Sequence, residues 1–322
     1  MTHAYPTLPL HDGTEIPAFG LGTWLSEPEA VYRAVRYALE IGYRHVDGAW
    51  IYLNEEEVGR GIAEAIAAGD VTREQVWVTT KLWNDHHDPA HVQAGLERSL
   101  RLLGLDYVDL YLMHWPVALR HGVGRPKELD DFVSLDELPL QATWEAMAKL
   151  PATGLTRRVG VSNFSASKIA TISDAVGVTP VVNQIELHPY LPQRELLAEM
   201  ARRGVVATAY APLGSGGRPP ALRRDDEVRL LDDPVVTRIA ATHGTGPAQV
   251  LIAWALARGT VVIPKSTTRS RIAANLEGTT LTLTADERTA LDGLGVDRAQ
   301  RYVDGSFWCP PGSPYTLASL WG

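Results

Sequence analysis

With 322 residues and a mass of 35.2 kDa, the chain has room for two average domains or one large α/β barrel. Its 45% hydrophobic and 21% charged residues describe an ordinary globular protein, and a net charge of -8 with a pI near 5.7 argues against a nucleic-acid or anionic-membrane surface. A single cysteine, Cys309, excludes an internal disulfide framework.

Met1 to Leu10 has neither the basic start nor the apolar run of a signal peptide, and no stretch approaches the ~20 apolar residues of a membrane helix. The default expectation is a cytoplasmic protein. Of its 30 basic residues only five are lysines, and two of these, Lys81 and Lys265, close apolar strand patterns.

His11-Asp12-Gly13-Thr14 between short apolar runs predicts an amino-terminal hairpin. Ala18 to Gly22 reads as a first buried strand, followed by Trp24 in its loop and a helix from about Glu27 to Glu40 with Val31, Ala34, Val35, Ala38 and Leu39 inward. Tyr43-Arg44-His45-Val46-Asp47 is a short strand ending on an acid. A Gly and an aromatic turn with Trp50 and Tyr52 follow it. The next helix opens on Glu55, Glu56 and Glu57, where the macrodipole favours acids.

Val76 to Lys81 is the third strand, and Asp88-Pro89 starts its helix. Val108 to His114 is the fourth, running into Trp115-Pro116. From Val117 to about Glu137 no period is visible, which predicts a loop over the site. A helix around Leu140 to Lys149 leads to strand Val159-Gly160-Val161, then Ser162-Asn163-Phe164, with Ser165 as the next cap. Val181 to Glu186 and Val205 to Tyr210 are strands six and seven, flanking a helix near Arg194 to Arg202. A second long loop, Leu213 to Asp232, precedes helices begun by Asp233-Pro234 and Pro247. Thr260 to Lys265 is the eighth strand, with a helix over Ser270 to Leu276, and the tail from about Asp297 reads as irregular.

Eight short apolar strands alternating with amphipathic helices predict one (β/α)8 TIM barrel over residues 1–322, with an amino-terminal β-hairpin and long loops over the carboxyl mouth. A doubly wound sheet would want G-x-G-x-x-G after its first strand. Here Gly20-Leu21-Gly22 runs into Thr23-Trp24-Leu25 and the third glycine is missing.

Asp47, Lys81 and His114 close successive strands, and Tyr52 follows the first. A barrel brings such ends to one mouth. The chemistry they suggest is proton donation to a carbonyl. A nearby lysine cation is expected to lower the phenol's pKa before burial opposes it, with Asp47 keeping Lys81 charged and a neutral His114 positioning the substrate oxygen. Taken singly, each has a bland reading as loop anchor, surface strand end, packing ring or satisfied polar group.

Asp47-Gly48-Ala49 with Tyr52 and Asn54-Glu55, Thr80-Lys81-Leu82-Trp83, Leu112-Met113-His114-Trp115-Pro116, Gly160-Val161-Ser162-Asn163-Phe164, Asn183-Gln184-Ile185-Glu186 and Ile263-Pro264-Lys265-Ser266 together resemble the aldo-keto reductase family, in order from about Leu8 to Asp297. The resemblance implies an NADPH-dependent carbonyl reductase without metal, in which Tyr52 is the proton donor, Lys81 and Asp47 tune it, and His114 orients the carbonyl. It also implies that Ser162, Asn163 and Gln184 hold the carboxamide and Tyr210 stacks on nicotinamide. By the same resemblance, Leu213 and Ser215 are expected in the pyrophosphate clamp, and Lys265, Ser266, Thr267 and Arg271, with Asn275, at the 2′-phosphate and adenine end. Ala274 stands where many members have a Glu, which bears on adenine grip.

Trp24, Trp83 and Trp115 are expected to line the pocket of a small-molecule carbonyl substrate, with Trp50 and Trp308 as further candidates. The expected protein is a monomer.

His86, His87 and His91 invite a metal site, but Asp88-Pro89 starts a helix between them and takes His87 and His91 off one helical face. None of the five lysines has a Tyr four residues before it, which excludes the Tyr-x-x-x-Lys pair of a short-chain dehydrogenase. The alternative function is a catalytically weak, cofactor-binding regulatory or structural barrel.

Overall fold

A computed structural model of the chain describes residues 6–223 and 227–322. The first residues of the amino-end reading (1–5) and the middle of the Leu213 to Asp232 loop (224–226) lie outside the described residues.

Strands β1 (Thr7–Pro9) and β2 (Glu15–Pro17) pair antiparallel with Leu8 opposite Ile16, the hairpin predicted from Asp12-Gly13. β3 (Leu21–Gly22) leads to helix α1 (Pro28–Glu40), β4 (His45–Asp47) to α2 (Glu55–Ala67), and β5 (Trp77–Leu82) to α3 (Pro89–Leu103). The Asp88 carboxylate caps α3, accepting from the Ala90 N–H at 2.9 Å. After β6 (Leu110–Met113), the segment expected to be a plain loop forms a small antiparallel pair, β7 (Ala118–Leu119) with β8 (Phe132–Val133). The chain continues through α4 (Leu140–Lys149), β9 (Val159–Ser162), α5 (Ala166–Val176), β10 (Val182–Glu186), α6 (Arg194–Arg202), β11 (Val206–Tyr210), α7 (Pro234–Thr242), α8 (Pro247–Ala257), β12 (Val261–Val262) and α9 (Arg269–Glu277).

Two helices were not foreseen: α10 (Ala285–Asp297) and the short α11 (Leu317–Trp321) inside the tail. The signal for α10 is in the sequence. Thr284 and Glu287 form a capping box, the Thr hydroxyl accepting from the Glu287 N–H at 3.2 Å and the Glu carboxylate from the Thr284 N–H at 2.8 Å.

Eight parallel strands run in the order β3-β4-β5-β6-β9-β10-β11-β12. The two edges then meet. Gly20 N–H donates to the Val262 carbonyl at 2.9 Å, Val262 N–H to Ala18 at 2.9 Å, and Gly22 N–H to Pro264 at 3.2 Å, so the sheet closes into a barrel. Gly20 and Gly22 serve this seam rather than a phosphate turn. A Cβ on Gly22 would lie 2.8 Å from the Ile263 carbonyl oxygen, and one on Gly20 2.8 Å from the His45 ring.

The period-2 alternation of the strands sorts their side chains. Val46, Val78, Tyr111, Val161 and Ile185 point outward into the main core against the helices. Trp77, Leu110, Leu112, Val182 and Val261 point inward with Leu10 and Ile16 of the hairpin, which plugs the base of the barrel. The same alternation turns Asp47, Lys81, His114, Ser162, Gln184, Glu186 and Tyr210 inward at or just beyond the carboxyl ends.

Candidate active site

Lys81 has all three ammonium hydrogens aimed at oxygen. Its Nζ donates to Asp47 Oδ1 at 2.7 Å and to the Gly48 carbonyl at 2.7 Å, and lies 3.5 Å from the Tyr52 hydroxyl. The Lys81 and Asp47 side chains are fully buried, so each charge depends on the other. The second Asp47 oxygen accepts from Gln184 Nε2 at 2.6 Å. Tyr52 does not come from a strand. It ends a 3₁₀ turn, Trp50–Tyr52, stopped by Leu53 at φ 57, and this turn hangs the phenol over the barrel axis.

His114 packs edge-on to Tyr52, with ring centroids 5.8 Å apart, and to Trp83 at 5.3 Å. Its backbone carbonyl accepts from Asn163 Nδ2 at 3.0 Å, while its Nδ1 is buried without a partner. A buried lone pair is tolerated better than a buried, unmet N–H. That places the proton on Nε2, a donor.

Burial pushes the His114 pKa well below the ordinary 6.5, with the Lys81 and His87 charges adding to the effect, so the ring is neutral. Burial likewise lowers the Lys81 pKa, opposed by Asp47. The expectation for Tyr52 is corrected: burial first, and then the Asp47 charge, raise its pKa well above 10.0. Asp47 offsets much of the lysine's field in the resting state, so the phenol is held protonated.

The residues matched to cofactor contacts fall into two groups. Around the mouth, Ser162 Oγ donates to the Gln184 carbonyl at 2.9 Å, and the hydroxyl of the half-buried Tyr210 donates to Asn163 Oδ1 at 2.8 Å. Asn163 (φ 64), Ala211 (φ 49) and Ser215 (φ 47) hold left-handed backbone just after β9 and β11, a cost that residues other than glycine bear mainly where geometry matters. Beyond the seam, Lys265, Thr267 and Arg271 are exposed beside the buried Ser266 and Asn275 at α9. Lys265 Nζ donates to the Leu25 carbonyl at 3.0 Å. Among the described residues neither Lys265 nor Arg271 pairs with a carboxylate.

Trp83 and Trp115 lie in an aromatic cluster with Trp308, whose ring is 5.7 Å from Trp83 and 5.9 Å from Trp115. Trp308 therefore packs into the same aromatic cluster as Trp83 and Trp115. Trp308 was only a further candidate in the sequence, because the tail that carries it shows no periodicity. Trp24 is half-buried and, among the described residues, makes no ring contact with this cluster. Trp50 borders the cluster but stacks beneath the Arg98 guanidinium at 3.6 Å.

Two positions were missed. Asp85 accepts from the Gly124 N–H at 2.9 Å while Trp83 Nε1 donates to the Gly124 carbonyl at 2.5 Å, docking the first long loop on a pocket ring. Glu186 accepts from the Tyr302 and Val303 N–H groups at 2.5 and 2.7 Å, docking the tail. An acid at the end of a strand was the available signal for Glu186. His91 stacks on His121 at 3.6 Å with His86 edge-on to both, and among the described residues no group of three or more metal-binding side chains is placed to hold an ion.

The Aldo/keto reductase family model matches residues 18–295. The chain is similar to an aldo/keto reductase of Synechocystis, 49% identical over 97% of this chain and 95% of that protein. It is also similar to aldo-keto reductase family 1 member A1 of Rattus norvegicus, 45% identical over 91% and 90%. Among solved structures, the aldo-keto reductase of Bombyx mori in complex with NADP superposes with a TM-score of 0.82 at 39% identity, covering 94% of this chain and 96% of that one. The bounds of the family match take in every strand end from Asp47 to Lys265, and on it the chain belongs to the aldo-keto reductase family.

Proposed function

We propose that this protein is an NADP-dependent oxidoreductase that reduces aldehydes and ketones to alcohols, with Tyr52 as the proton donor. The observation that carries the reading is Lys81 Nζ, shared between Asp47, the Gly48 carbonyl and the Tyr52 hydroxyl at the mouth of the barrel.

The residues present suit the cofactor. Lys265 and Arg271 are exposed cations beside Ser266 at the amino end of α9, a donor set suited to a phosphate. Tyr210 offers a ring face, and the Leu213–Ser215 backbone lies beside it. When bound, NADPH supplies the hydride.

The chain's own residues handle the oxygen. His114 Nε2–H and the Tyr52 hydroxyl converge as donors for the carbonyl oxygen. As negative charge develops there, Tyr52 gives up its proton, and the alcohol leaves with one hydride on carbon and one proton on oxygen. A phenolate 3.5 Å from the Lys81 ammonium gains about 5 kcal/mol at an effective dielectric near ~20, before the Asp47 carboxylate takes part of it back. What remains works against the burial that holds the phenol's pKa high. Asp47 and Gln184 keep the ammonium charged and aimed. Trp83, Trp115 and Trp308 form an apolar wall suited to aromatic or small aldehydes and exclude water from the oxygen.

The reading also includes one barrel domain over 1–322, a monomer, and a place in the cytoplasm, all resting on composition and pattern. Oxidation of NADPH and NADH against a panel of aldehydes tests the activity. Turnover with NADPH is the expected result, and no turnover of any aldehyde with either cofactor would refute it. Sedimentation analysis tests the monomer.

A further inference from the structure

Tyr302 stands where two separate pieces of chain above the barrel meet. Its backbone N–H and that of Val303 are fixed to the Glu186 carboxylate, which ties the start of the tail to β10. Its hydroxyl donates to the Val228 carbonyl at 2.9 Å, and Gln300 bonds the same residue from beside it, accepting from the Val228 N–H at 3.3 Å. The Arg218 guanidinium lies 4.7 Å from the Tyr302 ring centroid. A Cβ on Gly214 would be 3.2 Å from the Tyr302 hydroxyl, so the ring also packs on the loop itself.

Arg218 is 2% exposed, which is rare for an unliganded cation in a loop. It donates to the carbonyls of Gly214 at 3.0 Å, Ser215 at 2.9 Å and Leu222 at 3.3 Å, and pairs with the Glu227 carboxylate. A buried guanidinium held this way cannot lose its carbonyl partners without a large desolvation cost. When the Gly214–Ser215 backbone shifts, Arg218 shifts with it, and the Tyr302 ring beneath follows. The tail that Tyr302 begins carries Trp308 against Trp83 and Trp115.

We propose that Tyr302 is a positioning residue that couples the loop over the cofactor to the tail that walls the substrate pocket, so that cofactor binding tightens the aromatic wall. The proposal rests on the function proposed above. Hydrogen exchange of the full chain with and without NADP+ gives the first test. Slower exchange is expected both in the loop from Leu213 to Arg223 and in the amides from Tyr302 to Trp308. Protection confined to the loop overturns the coupling. Protection nowhere overturns the functional reading, and the coupling with it.

In Tyr302→Leu, loop protection should remain and tail protection should be lost, and tail protection that survives there overturns the proposal. Kinetics gives an independent arm. Arg218→Met should raise KM for a bulky aromatic aldehyde about 5-fold at saturating NADPH, though it touches no pocket ring, with KM for propanal changed far less. The same change in a Tyr302→Leu background should add little further, as expected for residues acting in series. An Arg218→Met effect limited to NADPH, or one that adds in full to Tyr302→Leu, refutes the coupling.

Discussion

Gln184 Nε2 donates to Asp47 Oδ2 at 2.6 Å, joining two residues 137 positions apart in sequence across the inside of the barrel. The bond spans from β10 to β4, strands that are not neighbours in the sheet. It leaves the buried Asp47 carboxylate with one oxygen on a lysine and the other on an amide, so the acid can neither turn nor pick up water. The orientation of Lys81, and through it the surroundings of Tyr52, follow from that arrangement.

Tyr52→Phe removes the proton donor and keeps the ring. We expect kcat to fall about 10²–10⁴-fold, the usual worth of a positioned acid. NADPH affinity, measured by fluorescence titration, should stay within about 2-fold. A variant retaining most of its turnover would show that another group supplies the proton.

The pH dependence should be one-sided. Reduction needs Lys81 charged and Tyr52 protonated, and both forms are lost as pH rises. Burial lowers the Lys81 pKa while Tyr52 is raised well above 10.0, so Lys81 titrates first. The alkaline limb of kcat/KM should therefore begin below the ordinary lysine value of 10.5. On the acid side His114 stays neutral well below 6.5, so no limb is expected in the usual histidine range. A limb near that value, lost in His114→Gln, would contradict the assignment.

Lys265→Met and Arg271→Met each delete an exposed cation proposed to hold a phosphate. Charge-assisted hydrogen bonds contribute about 1.5–3 kcal/mol, so KM for NADPH should rise roughly 10- to 100-fold. KM for NADH should change little, and the ratio of the two specificity constants is the measurement. Equal losses with both cofactors would place these residues elsewhere.

Trp308→Ala should open the aromatic wall formed with Trp83 and Trp115. We expect KM for an aromatic aldehyde to rise by up to about 10-fold, the loss of one ring contact with the substrate at about 0.5–1.5 kcal/mol. KM for propanal should stay nearly constant, since a three-carbon aldehyde need not reach that ring. Steady-state kinetics on the two substrates decides it.

Gly22→Ala tests the closure of the barrel. The added Cβ would meet the Ile263 carbonyl oxygen at 2.8 Å, and relief requires the β3–β12 seam to part. Overpacking of this kind costs about 1–3 kcal/mol, readable as a lower midpoint in urea unfolding. An unchanged midpoint would mean that the seam contributes little.

Much of this was legible in the chain itself, and the reason is local. A strand's alternation or a helix's apolar stripe is written within a few residues, so Asp88 and Ser165 could be named as caps and Asp47, Lys81 and His114 as strand ends. The resemblance added the roles that spacing alone cannot supply. Thr284 and Glu287 carry a local signal of the same kind, a capping box for α10 beyond the last strand.

What the chain could not reveal depends on which distant groups end up within a few ångströms. The phenol's pKa was expected to fall beside a lysine and instead rises, because burial and the Asp47 charge are properties of the assembled mouth. Trp308 joins the wall only because the Glu186 carboxylate captures two amides of an aperiodic tail. Arg218 is one of many arginines until the loop folds around it. Pattern and capping follow from neighbours along the chain, whereas electrostatic balance and docking follow from neighbours in space, which only the closed barrel supplies.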